Sequence, residues 1–62
     1  MSQIVIYKGV MVEPVERSNG KIRIQTKNPG DAQKADMAFK DMDGTTAVFE
    51  TWANEDELVP VN

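Results

Sequence analysis

The chain contains no cysteine and no histidine. The first absence rules out disulfides, and the two together rule out a Cys/His zinc site. They also remove the common nucleophile–base pairs of covalent catalysis. Aromatic residues are scarce, with two Phe, one Tyr and one Trp among 62 residues. No apolar run is longer than residues 4–7, far short of the ~20 residues that span a bilayer. The N-terminus lacks a basic region followed by an apolar stretch, so no signal peptide is expected. A cytoplasmic location is then the default expectation. Gly30 and Gly44 stand apart, without the companions of a phosphate-binding loop or dinucleotide fingerprint.

Sixty-two residues make one domain, residues 1–62. A chain this short buries only about 60% of the surface its unfolded form exposes, so its stability is thin. Small scaffolds normally add a disulfide, a metal or a second subunit. With the first two unsupported, partner binding or a homodimer is a serious expectation. Hydrophobic content of 40% with 27% charged residues is that of a folded chain.

Charge is divided along the sequence. Residues 1–30 hold Lys8, Arg17, Lys21, Arg23 and Lys27 against Glu13 and Glu16. Residues 31–62 hold only Lys34 and Lys40 against Asp31, Asp36, Asp41, Asp43, Glu50, Glu55, Asp56 and Glu57. The net charge is −3. Such a division bears on partners and association rather than on fold.

Residues 3–15 are rich in β-branched side chains and read as one long strand or two strand segments, with a bulge or bend at Gly9. Asn19-Gly20 is a type I′ hairpin signal, because both residues accept positive φ. A two-residue loop sets Ser18 against Lys21, Arg17 against Ile22, Glu16 against Arg23 and Val15 against Ile24. Residues 21–27 alternate, with Ile22, Ile24 and Thr26 on one face and Lys21, Arg23, Gln25 and Lys27 on the other.

Asn28-Pro29-Gly30-Asp31 reads as a turn that ends in an N-cap at Asp31. Ala32, Ala35, Ala38, Phe39 and Met42 share one face at helical spacing, which predicts a helix over 32–42 stopped by Gly44. Ala35, Met37 and Phe39 also alternate, which is the strand reading of the same segment. Residues 45–52 are a strand with Ala47, Phe49 and Thr51 on one face and Val48, Glu50 and Trp52 on the other. Residues 54–57 form a polar turn or one turn of 3₁₀ helix, and 58–61 a short last strand with Pro60 at an edge.

The predicted class is therefore α+β: a small antiparallel sheet in β-β-α-β-β order with one helix packed on one face. In the strand reading of 35–39 the chain has five short strands. The last quarter, Ala47-Val48-Phe49-Glu50 followed by Asn54-Glu55-Asp56-Glu57-Leu58-Val59-Pro60-Val61, then resembles the SH3-like small barrels, whose last strand often follows a short 3₁₀ turn. That resemblance implies an all-β, five-stranded barrel and no particular activity.

Chemistry is sparse. The carboxylates of Asp36, Asp41, Asp43 and Glu50 lie beside turns and on the outer surface of the expected helix, where charged groups stay solvated, so no enzyme is expected. Asp41-Met42-Asp43-Gly44 shares some residues with a calcium loop. An EF-hand needs oxygen ligands at its first, third, fifth and twelfth positions and glycine at the sixth. Counted from Asp36, the third, fifth and twelfth are Ala38, Lys40 and Ala47; counted from Asp41, the glycine comes fourth. The segment reads as a turn, and no metal or cofactor is expected.

Two binding surfaces remain. Asp36, Asp41, Asp43, Glu50, Glu55, Asp56 and Glu57 form the acidic candidate, suited to a protein partner with a basic patch. Trp52 is expected to close one end of the core, and its partial exposure would also make it the anchor of that interface. Arg17, Lys21, Arg23 and Lys27 form the alternative, a hairpin face for nucleic acid. Against it stand the net negative charge and the lack of aromatic side chains among the cations. The sequence thus favours a small non-enzymatic regulator or inhibitor that acts through protein contacts.

Overall fold

The computed structural model describes residues 4–61. Its elements are β1 (Val5–Tyr7), β2 (Val10–Ser18), β3 (Lys21–Thr26), α1 (Pro29–Lys34), β4 (Ala38–Asp43), β5 (Thr46–Asn54), a 3₁₀ turn η1 (Glu55–Glu57) and β6 (Val59–Pro60). The six strands form one antiparallel sheet in the order β4-β5-β3-β2-β1-β6. The molecule is thus mostly sheet, with one short helix. Among the described residues no helix is long and apolar enough to cross a membrane.

The stretch read as one or two strands is two, joined by a turn at Lys8-Gly9; its first residue, Gln3, lies outside the described residues. Both turn residues have positive φ, at 51° and 83°, as a tight hairpin of this hand demands. Asn19-Gly20 adopts the same left-handed pair, at 53° and 77°. The pairs Ser18–Lys21, Arg17–Ile22 and Glu16–Arg23 form as the turn dictates. Beyond them the expectation fails. Pro14, not Val15, lies opposite Ile24, because the ladder shifts register between Pro14 and Glu16. Proline has no N–H to give the ladder, and a bulge is where a sheet tolerates it.

The helix predicted over 32–42 spans only Pro29–Lys34. Its N-cap is Asn28 rather than Asp31: the Asn28 side chain accepts from the N–H of Gly30 at 2.9 Å and of Asp31 at 3.2 Å. Pro29 then takes the first turn, where its missing N–H costs nothing. The stop is Asp36, not Gly44. Asp36 adopts φ 59°, and the N–H of Met37 reaches back to the carbonyl of Ala32 at 2.8 Å while that of Asp36 meets Gln33 at 3.3 Å. This is the double wrap of a Schellman end. Six residues cannot sustain a helix alone. Ala32, Ala35 and Met37, all buried, hold it on the sheet.

After that reversal the chain extends into β4, so Ala38, Phe39 and Met42 belong to a strand. Gly44, with φ 67°, serves the turn from β4 to β5 instead. The β5 faces are as the alternation predicts, and η1 and β6 follow in the expected places.

One face of the sheet carries the core. Val5, Tyr7, Val10, Val12, Ile22, Ile24 and Ala53 pack there with Ala32, Ala35 and Met37. Ile24 is fully enclosed, at 0% exposure. Phe49 and Leu58 border this cluster. The first and last strands meet through Val5–Pro60 and Ile6–Val59.

Candidate functional site

The opposite face of the sheet is free of that core. Residues directly opposite in a ladder share a face. Glu16, Arg23 and Trp52 form one row across β2, β3 and β5, and Glu13, Gln25, Glu50 and Ala38 form the next, reaching β4. Asp41 and Asp43 stand on the same side, opposite Val48 and Thr46. This outer face is where the structure gathers most of the candidate residues.

Trp52 corrects an expectation. It does not close the core; it stands on the outer face, opposite Arg23, and is 45% exposed. The cause is parity. Ala53 and Thr51 follow Ile22 and Ile24 to the inner side, so Trp52 between them must point outward.

Arg23 is the organising cation. Its Nη2 lies 3.0 Å from Glu16 Oε1, and its Nε lies 3.7 Å from Glu50 Oε1. The Nε is shielded from solvent and has no hydrogen-bond partner among the described residues. Glu50 Oε1 also accepts from Gln25 Nε2 at 3.2 Å. Glu50, singled out as a member of an open acidic surface, is therefore half-buried and held by two neighbours on β3.

The charge division of the sequence is largely undone by folding. Lys27 Nζ pairs with Asp43 Oδ2 at 3.2 Å, and Arg17 Nη1 with Glu55 Oε1 at 3.4 Å. With Arg23 held by Glu16 and Glu50, three of the four nucleic-acid candidates are in ion pairs, and Lys21 is outside them among the described residues. Arg17 also leaves the stripe, since it stands opposite Ile22 and so on the other side of the ladder.

The acidic candidates divide into three places. Asp41, Asp43 and Glu50 lie on the outer face of β4 and β5; Asp41 is on a strand and not on the outside of a helix as the sequence suggests, while Glu50 shares a strand face with Val48 and Trp52 as expected. Glu55, Asp56 and Glu57 make up η1, which directly continues β5. The N–H of Glu55 donates to the carbonyl of Gly20 at 3.0 Å, which ties this turn to the β2–β3 hairpin tip, and Glu57 Oε1 accepts from the N–H of Asn54 at 2.9 Å at the start of the turn itself. Trp52 thus has carboxylates before and after it along the same stretch of chain. Asp36 stands apart, in the turn that ends α1.

A groove of about 430 Å³ opens between the far half of β2 and the η1–β6 segment, lined by Pro14, Ile22, Leu58 and Pro60, with Arg17 and Glu55 among its polar groups. Among the described residues no three carboxylates converge as metal ligands would. Phe39 and Met42, assigned by the helical reading to the core, are instead 58% and 50% exposed on the edge strand β4. The alternation of Ala35, Met37 and Phe39 is the signal that takes Phe39 out of the helix, and no sequence signal does so for Met42. Compared with known proteins, the chain matches no family model, no curated protein and no solved structure.

Proposed function

We propose that this chain is a small non-enzymatic binding module, a regulator or inhibitor, whose outer sheet face docks a basic surface on a protein partner. The observation that carries this reading is Trp52, a large aromatic side chain held away from the core between carboxylates on β4, β5 and η1. Aromatic side chains dominate interface hot spots, and surrounding charge raises the encounter rate and selects the partner. The strand framework beneath it is rigid, because β5 is paired on both sides. On the fold, the pairing of β6 with β1 after a 3₁₀ turn supports the SH3-like small barrel, the reading in which the segment before β5 is a strand.

Trp52 is the only tryptophan, so its fluorescence reports on this face alone. Titration with a lysine- and arginine-rich peptide should shift or quench that emission in a saturable, salt-sensitive way. Asp41→Lys with Asp43→Lys should abolish the response, and Trp52→Ala should abolish binding measured by calorimetry. No response to the peptide refutes the reading. The competing reading places nucleic acid on Arg17, Lys21, Arg23 and Lys27. It requires a single- or double-stranded oligonucleotide to bind instead, and Lys21→Glu with Arg23→Glu to remove that binding.

A further inference from the structure

Strand β4 ends the sheet, paired with β5 on one side only. Its six side chains are all exposed, among them Phe39 and Met42. Between Phe39 and Asp41 the ladder to β5 shifts register, leaving Lys40 without an opposite residue. This extra residue changes which side chains share a face. Ala38, Asp41 and Asp43 stand on the outer side with Glu50, Val48 and Thr46, while Phe39 and Met42 stand together on the other side with Phe49 and Ala47.

We infer that β4 is a homodimerisation edge, which a second copy of this chain extends in antiparallel register about a two-fold axis between Lys40 and Asp41. Face parity and charge both favour this pairing. In a two-fold antiparallel pair each residue must share its face with the residue opposite. With the axis between Lys40 and Asp41, Ala38 meets Asp43 of the second copy, both outward, and Phe39 meets Met42, both inward. A regular strand forbids this register, because residues an odd number apart point to opposite sides; the bulge at Lys40 permits it.

Charge disfavours the registers centred on Lys40, Asp41 or Met42 and is favourable in this one. Lys40 then lies opposite the second copy's Asp41, and by symmetry the reverse pair forms as well. Moving the axis onto Lys40 sets two lysines against each other, and moving it onto Asp41 sets two aspartates. Moving it onto Met42 sets Asp41 against Asp43. Like charges directly opposite are unfavourable in a ladder. The two Phe39–Met42 contacts cover side chains that the monomer leaves in water. The N–H of Met42, now donated to Asp41 Oδ1 at 2.7 Å, gains a backbone acceptor, and the Asp41 carboxylate turns to Lys40. The joined sheets continue the outer face of one copy into that of the other, whatever that face binds.

An edge of this length buries less than a standard interface of ~1,200–2,000 Å², so the dimer is weak, with a dissociation constant on the order of 0.1–1 mM at low salt. Sedimentation equilibrium on the full chain across a concentration series tests it. Lys40→Asp and Asp41→Lys should each weaken association about tenfold, and the chain carrying both should recover it. These side chains are exposed, and circular dichroism establishes that each variant is folded. A register test is independent of charge. Chains with Ala38→Cys and with Asp43→Cys should form the mixed disulfide in preference to either like pair, since opposed Cα atoms fall within disulfide reach. A strict monomer at ~1 mM overturns the inference, as does a dimer indifferent to both charge reversals or a random distribution of disulfides. A monomer is also the outcome if the bulge and charges serve only to block the edge.

Discussion

Arg23 of β3 and Trp52 of β5 stand directly opposite each other on the face of the sheet turned away from the core. Glu16 completes the row on β2, with its carboxylate 3.0 Å from the Arg23 guanidinium. The most conspicuous aromatic side chain is therefore set beside an internally neutralised cation, and its accessible surface is not committed to packing against Ile22 or Ile24.

Trp52→Ala should consequently cost less stability than loss of a core Trp. With 45% of the side chain exposed, the cost should lie between the ~0.5 kcal/mol of a freely exposed side chain and the ~3–5 kcal/mol of a buried Trp. Urea denaturation compares the variant with the parent chain. The emission of Trp52 should also lie at the wavelength of a hydrated indole and be quenched by iodide in the folded state. A blue-shifted, iodide-resistant emission would place the ring in a protected environment and contradict its observed exposure.

Ile24 is the opposite case, enclosed by both neighbouring strands and the core cluster. Ile24→Val should cost about 0.5–1.5 kcal/mol and Ile24→Ala about 2–5 kcal/mol. A 62-residue domain commonly holds roughly 3–9 kcal/mol in total, so the alanine variant should be largely unfolded at 37 °C. Thermal unfolding followed by circular dichroism reads both.

Asp36 should become more stabilising as glycine. Its left-handed backbone at φ 59° costs an L-residue roughly 1 kcal/mol that glycine avoids. Asp36→Gly should raise the urea midpoint by the equivalent of about 0.5–1 kcal/mol. Because this turn lies apart from the outer face, the response of Trp52 to a basic peptide should be unchanged. Loss of that response would bring Asp36 back into the binding surface.

The Glu16–Arg23 pair is half solvent-exposed on the glutamate side. A double-mutant cycle with Glu16→Gln and Arg23→Gln should return a coupling of about 0.2–1 kcal/mol that declines as salt rises. A coupling independent of salt would mean that the pair acts through packing and not charge.

Features that depend on a few adjacent residues were legible before folding was considered. Asn19-Gly20 set the hairpin and three of its pairs because both residues reach positive φ without penalty. Strict alternation assigned the two faces of β3 and β5, since parity follows from the pleat alone. The rest depended on contacts between elements distant in the chain. Residues 35–39 satisfy both the helical and the extended pattern, and the chain from Ala38 on became a strand because Asp36 reverses it and β5 offers a ladder. The bulge at Val15 displaced one expected pair, because Pro14 has no N–H to give the ladder. The separation of charge into two halves was real along the chain but not across the surface: β3, near the middle of the sheet, brings Arg23 between Glu16 and Glu50, and no composition can show which opposite charges the fold will set side by side.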